Sequence, residues 1–192
     1  MIIRKAFKFE GSHIVRNCSS EKCKHNIHGH SYIVEVFIHS NKLDKGYMVL
    51  DFILLEKVKE FIESFDHSYS LWSQEPADFK KFIYQYNKRI AEIPASPSAE
   101  GYALMFFYAV DKILKNMIYK NGEGDIKLHS VRVHETATGY AEVFEEDRHM
   151  IDFTLDDILF SDGIQEDWKH SDWFDNLKKG VAFVNPDVEQ NL

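Results

Sequence analysis

The sequence predicts an α+β domain in which one antiparallel sheet carries two helices on a single face. Three observations point there. Residues 2–13 and 30–40 alternate apolar and polar side chains over strand length, and residues 126–135 and 140–144 do so again further on. Between these pairs, residues 51–65 and 96–121 place apolar residues three and four apart, the period of an amphipathic helix. The order strand-strand-helix-helix-strand-strand then gives two hairpins flanking a helical layer, which can cover one face of the sheet.

The first strand, 2–13, brings Phe7, Phe9 and His13 into phase. A loop over 14–27 follows, carrying Arg16, Cys18, Lys22, Cys23 and Lys24. In the second strand Tyr32, Val34, Val36 and Ile38 share one face, with Glu35 and His39 on the other. A turn at 41–46 leads to Asp51, whose carboxylate can accept the free amide hydrogens of a helix running to about Phe65. Phe52, Leu55, Val58, Ile62 and Phe65 form its apolar stripe. Residues 72–95, bracketed by Pro76 and Pro94, read as an insertion with a short helix around Phe79, Phe82, Ile83 and Tyr86. The second long helix is expected to begin near Ser96-Pro97, with proline at its first position, and to end at Asn121-Gly122. A third strand over 126–135, a turn and a fourth strand over 140–144 complete the set. A four-stranded sheet leaves two open edges, and pairing of edges between protomers would cover them.

Charge divides the chain. Up to Tyr140 there are 19 Lys/Arg against 17 Asp/Glu, and from Ala141 onward 4 against 14. We therefore expect one domain over 1–144 and an acidic extension over 145–192. Phe153, Leu155, Ile158, Leu159 and Phe160, with Trp168, Trp173 and Phe174 behind them, are too apolar for a solvated tail and should dock on the body. No basic footprint speaks for nucleic acid. The longest apolar run, residues 102–110, is about half of the ~20 residues a membrane span needs. The charged start Arg4-Lys5 does not read as an export signal, and two cysteines in one short loop fit reduced thiols, so a cytoplasmic small-molecule protein is expected.

His28-Gly29-His30 stands at the start of the second strand. Side chains two apart on a strand point the same way, so the two imidazoles project together and can share one divalent ion. Gly29 leaves room for that ion or for a neighbouring chain. His13 can reach the same face if the first two strands pair antiparallel. Three neutral imidazoles with an open fourth position are the usual ligand set of a catalytic zinc. The other histidines, such as His39, His129, His149 and His170, read as surface or hydrogen-bonded residues.

Taken with Cys23, Asp51-Phe52, Asp66-His67, Pro97-Ser98-Ala99-Glu100 and His134-Glu135-Thr136, these residues resemble the family of 6-pyruvoyl and 6-carboxytetrahydropterin synthases over about residues 3–144, the insertion apart. The resemblance implies the tunnelling fold, in which strand pairs of several protomers close a barrel with sites between subunits, here a homo-oligomer expected to be a hexamer. It implies a lyase acting on 7,8-dihydroneopterin triphosphate with Zn2+. His13, His28 and His30 correspond to the zinc ligands, Cys23 to the catalytic base, and Asp66 and His67 to its proton-relay partners. Glu135 corresponds to the carboxylate that anchors the pterin, and Glu100 is a second candidate near the ligand, although a carboxylate in a first helical turn is favourable without any function.

Of the two products, we expect 6-carboxytetrahydropterin, which feeds 7-deazaguanine (queuosine) synthesis. The gap from Cys23 to His28 does not choose between them, and the pyruvoyl-forming activity stays open as the alternative. A metal-binding interaction module whose acidic tail docks a partner is the reading of another class. Arg16, Lys22 and Lys24 are candidate triphosphate contacts, with solvated loop charge as the plainer account.

Overall fold

In the computed structural model, which describes residues 1–184, the two expected hairpins form one end of a larger sheet. β1 (Ile2–His13) pairs antiparallel with β2 (His28–His39), in a register that sets Phe7 against Val34 and His13 against His28. β2 pairs with β5 (Lys127–Thr136), and β5 with β6 (Gly139–Val143). The apolar faces coincide: Phe9, Tyr32, Val34, Val36, Val131 and Val133 are all buried. Burial of side chains at every second position fixes this register, since a slip by one residue would turn every core side chain to solvent.

The helical layer lies on that face. Asp51 caps a 3-10 turn over Phe52–Leu55, its carboxylate accepting from the Ile53 amide at 3.1 Å, and the chain continues as α2 (Glu56–Glu63). α4 (Ala99–Asn116) is capped by Ser98, whose hydroxyl accepts from the Gly101 amide at 3.2 Å. The expected start at Pro97 is thus two residues early. Pro97 stays outside the helix, which leaves its carbonyl available elsewhere. Tyr102, Phe106, Val110 and Ile113 of α4 are fully buried under the sheet, together with Val58, Phe61 and Ile62 of α2.

The sheet has seven strands in the order β6-β5-β2-β1-β3-β4-β7. Beyond β1 lie β3 (Ser68–Trp72), parallel to it, and β4 (Ile90–Ile93), parallel to β3. The 72–95 segment therefore contributes a strand to the sheet as well as a helix, α3 (Ala77–Tyr86). Ile83 of α3 covers Tyr69, Leu71 and Ile90, a small cluster apart from the main core. β3 meets β1 only at Gly11 and Ser12, so residues 2–9 of β1 have no strand partner on that side among the described residues. The loop expected over 14–27 contains one short helix, α1 (Glu21–His25).

The acidic extension packs on the body. Phe153, Leu155, Ile158, Phe160, Trp173 and Phe174 are buried and belong to the main core. The Phe160 ring lies 5.6 Å from that of Phe65 and 6.0 Å from that of Phe61. Leu159 is 52% exposed, because its neighbour Phe160 takes the inward position on β7 (Leu159–Phe160) and alternation turns Leu159 out. Two short helices follow, α5 (Asp162–Gln165) and α6 (Trp173–Lys178). The last eight residues of the extension, 185–192, lie outside the described residues. Among those described, no helix is long and apolar enough to cross a membrane.

Candidate metal and catalytic site

The β1–β2 register brings the three histidines together at one end of the sheet. Their ligating nitrogens all lie within 4.8 Å of one another. His13 is fully buried, and its Nδ1 donates to the Pro97 carbonyl at 2.5 Å. His28 Nδ1 donates to the Asn26 carbonyl at 2.9 Å. A carbonyl can only accept, so each Nδ1 carries a proton, and in the neutral ring Nε2 is then the nitrogen with the lone pair. The two Nε2 atoms face each other at 3.2 Å, with the His30 ring 5.2 Å from both rings. Burial lowers the His13 pKa to about 4, against the opposing Pro97 hydrogen bond and with help from His28 and His30, so it is a neutral ligand at pH 7. Nε2 atoms converging from His13 and His28, each ring oriented by a carbonyl behind it, with His30 beside them, fit a divalent ion.

Of the two uses expected of Gly29, the structure shows room for a neighbouring chain. A methyl there would stand 2.9 Å from the Gly11 carbonyl oxygen, so the missing side chain lets β1 approach β2 between the two histidines.

Glu135 lies on a bulge. β5 passes from His134 to Thr136 while β6 advances from Tyr140 only to Gly139, leaving Glu135 as the extra residue. Bulges re-aim side chains, and here the carboxylate stands 3.7 Å from His13 Nε2 and 3.9 Å from His30 Nε2. His134, on the other side of the strand, hydrogen-bonds Glu35 at 2.9 Å.

A cavity of about 360 Å³ beside the histidines is lined by Cys18, Cys23, His28, Glu100, Glu135 and Tyr140, among others. Glu100 faces it from the first turn of α4. Both cysteines are free and half-buried. Cys23 sits on α1, whose path is fixed by a hydrogen bond from the Val15 amide to the Cys23 carbonyl at 3.1 Å. Cys18 lines the same cavity, with its thiol donating to the Ser20 carbonyl at 3.3 Å. Arg16 is committed elsewhere, paired with the buried Glu75 at 2.8 Å and donating to the Lys24 carbonyl at 3.0 Å.

Asp66 and His67 stand at the turn between α2 and β3. Asp66 Oδ1 accepts from the Glu10 amide at 2.7 Å and Oδ2 from His67 Nδ1 at 2.8 Å. Burial would raise the Asp66 pKa, but the Glu10 amide and His67 outweigh it and hold the carboxyl below its ordinary value. His67 Nε2 has no partner among the described residues, on a ring that is 77% exposed. Within one chain His67 and Cys23 line different cavities: His67 shares one of about 350 Å³ with His30, Glu10 and Ser68.

Three contributors, Tyr32 and the main-chain carbonyls of Pro97 and Asn26, are not among the candidates that the sequence offers. Tyr32 was placed on the core face, yet its hydroxyl lies 3.2 Å from His13 Nδ1, and burial raises its pKa well beyond the ordinary tyrosine range, keeping it protonated. Its position two residues after His30 on one strand face was the available signal. The carbonyls of Pro97 and Asn26 carry no side-chain signal at all.

Comparison with known proteins gives the family and the fold. The family model described as 6-pyruvoyl tetrahydropterin synthase matches residues 2–146. The chain is 47% identical over 182 residues to the 6-carboxy-5,6,7,8-tetrahydropterin synthase of Helicobacter pylori strain J99, covering 92% of this chain and 91% of that one. That length carries the similarity past residue 144 and into the acidic extension. The Aquifex aeolicus protein of the same name is 33% identical over 162 residues, covering 75% of this chain and 98% of its own. Among solved structures, an uncharacterized protein from Wolinella succinogenes superposes with a TM-score of 0.60 at 23% identity, covering 76% of this chain and 98% of its own. A Plasmodium vivax 6-pyruvoyltetrahydropterin synthase gives 0.51 at 17% identity, over 74% of this chain and 97% of its own, and these two likenesses establish the fold. By its matched sequence, its fold and its histidine cluster, the chain belongs to the 6-pyruvoyl tetrahydropterin synthase family, a family of lyases.

Proposed function

We propose that the protein is a zinc-dependent 6-carboxy-5,6,7,8-tetrahydropterin synthase that converts 7,8-dihydroneopterin triphosphate on the way to 7-deazaguanines. The observation that carries the reading is the facing pair of Nε2 atoms of His13 and His28, with His30 beside them and Cys23 and Glu135 on the adjoining cavity. The relatives named 6-carboxy-5,6,7,8-tetrahydropterin synthase, matched over most of the chain, support this product over the pyruvoyl one.

His13, His28 and His30 would hold the zinc, which when bound supplies Lewis acidity at the substrate's side-chain hydroxyls. Glu135 accepts two hydrogen bonds from the guanidine-like edge of the pterin, the bidentate geometry that fixes a planar ring. Glu100 faces the same cavity and adds a second acceptor. Cys23, as thiolate, takes a proton from the substrate side chain. His67, held by Asp66 with Nε2 free, receives or returns that proton. Because Cys23 and His67 line different cavities of one chain, the relay closes in this reading only when a second copy brings its His67 to the Cys23 cavity. The open side of β1 over residues 2–9 and the free edge at β6 support such a homo-oligomer, with a hexamer the expected form.

Incubation of the zinc-loaded protein with dihydroneopterin triphosphate, followed by mass analysis, tests this. A 6-carboxytetrahydropterin product is expected. A 6-pyruvoyl product would assign the other family activity, and no turnover with full zinc would favour the interaction-module reading.

A further inference from the structure

The acidic extension meets the candidate relay at one place. Ser161, just after β7, is laced to residues 88–90: its amide donates to the Ile90 carbonyl at 3.0 Å, its hydroxyl donates to the Lys88 carbonyl at 2.7 Å, and the Ile90 amide donates to that hydroxyl at 2.9 Å. A methyl at Gly163 would stand 2.6 Å from the Lys88 carbonyl oxygen, so glycine allows α5 to lie directly on this loop. The Trp168 indole donates to Ser64 Oγ at 2.9 Å, and the Lys169 amide to Glu60 Oε1 at 2.9 Å, tying the same segment to the end of α2 that leads into Asp66.

Between these anchors stands Arg89. Its Nε donates to the Asp66 carbonyl at 3.0 Å, and its Nη1 donates to the Gly163 carbonyl at 3.0 Å and pairs with the Asp167 carboxylate. The rigid guanidinium fork thus joins the extension to the peptide that links Asp66 and His67. The other end of that same peptide is also held, because the His67 amide donates to the Glu10 carbonyl at 2.6 Å. Pinning both ends fixes the peptide plane, and His67 takes φ = 51°, the left-handed region that residues other than glycine rarely occupy. Left to itself, a histidine would leave that region and carry its ring away from the Asp66 carboxylate.

We propose that Arg89 is a positioning residue for His67, and that the extension serves the reaction by holding Arg89 in place through Gly163 and Asp167. This rests on the reading of Asp66 and His67 as the proton-relay pair. It gives residues 159–168 a task in turnover that packing alone does not.

The test compares Arg89→Ala, Asp167→Asn and His67→Ala in the full-length zinc enzyme. Arg89→Ala should lower kcat at least tenfold with KM changed less than threefold and zinc content unchanged. Amide exchange at residues 66–68 should quicken at least tenfold, and added methylguanidine, but not an equal concentration of sodium chloride, should restore part of kcat. Asp167→Asn, at a side chain 70% exposed, should fold normally and lower kcat severalfold in the same pattern. Unchanged kcat and exchange in both variants, with His67→Ala inactive, would overturn the positioning role while leaving the relay intact. If Arg89→Ala cannot be purified folded, Asp167→Asn alone decides, and wild-type kcat and exchange in it overturn the role. An active His67→Ala would remove the relay reading instead, while faster exchange in Arg89→Ala would still support the contact.

Discussion

Nε2 of His13 and Nε2 of His28 face each other at 3.2 Å while both Nδ1 atoms donate to main-chain carbonyls, so each ring turns its remaining nitrogen toward the other. Two imidazole Nε2 atoms held this way, with His30 beside them, can share one cation. One divalent metal per chain is therefore expected, lost in the His13→Ala, His28→Ala, His30→Ala triple variant. Added zinc should raise the thermal midpoint of the metal-free wild type, since a ligand at 100 times its Kd stabilises by about 2.7 kcal/mol. The triple variant should show no such shift, and metal analysis with a melting curve reads both. Full occupancy in the triple variant would end the metal assignment.

Because both thiols line the cavity, loop position alone does not choose the base. Cys18 donates to the Ser20 carbonyl, whereas Cys23 is carried on α1 beside His28. Cys23→Ala should keep metal and substrate binding but lose turnover by about a hundredfold or more, the scale of a lost general base. Cys18→Ala should be nearly silent. The opposite pattern in steady-state kinetics would exchange the two roles.

Glu35 is buried on the sheet face away from the helices and accepts from His134 at 2.9 Å, from Arg132 at 3.3 Å and from Arg4. Burial would raise its pKa, but the hydrogen bonds of His134 and Arg4 outweigh it and hold it below the ordinary glutamate value. A carboxylate with a depressed folded pKa stabilises fully above its unfolded pKa of about 4.3 and loses that contribution as pH falls through the folded value. Glu35→Gln should therefore cost about 1–3 kcal/mol at pH 7. Denaturation curves of the two proteins should draw together as pH falls from the unfolded value of about 4.3 through the lower folded one, and a constant difference across the acid range would contradict this.

Phe160 is 7% exposed and packs its ring against Phe61, Phe65 and Phe174. Phe160→Ala should cost about 3–5 kcal/mol in chemical denaturation, as for other buried phenylalanines. A loss below about 1 kcal/mol, the scale of surface substitutions, would mean the extension is merely appended.

The sequence by itself indicated the four antiparallel strands and the two helices of the layer from their hydrophobic periods, but not the helix ends: the first is a 3-10 turn followed by an eight-residue helix, and the second stops at Asn116 rather than at Asn121-Gly122. It also determined the three histidines, since the period of two on His28 and His30 and the phase of His13 follow from strand geometry. The tertiary structure alone decided β3, β4 and β7. These are five, four and two residues long, and the first two pair in parallel without a hairpin turn to announce them. β3 is buried at four successive positions, so no alternation marks it as a strand. Only the folded chain could show that Pro97, expected inside a helix, offers its carbonyl to His13, or that Arg89 reaches from the edge of β4 to Asp66 and Asp167. Main-chain carbonyls have no residue identity to read, and contacts between residues 23 and 78 apart leave no periodic trace in the chain. Local period fixes elements; the partners of single polar groups are fixed by where packing brings those elements to rest.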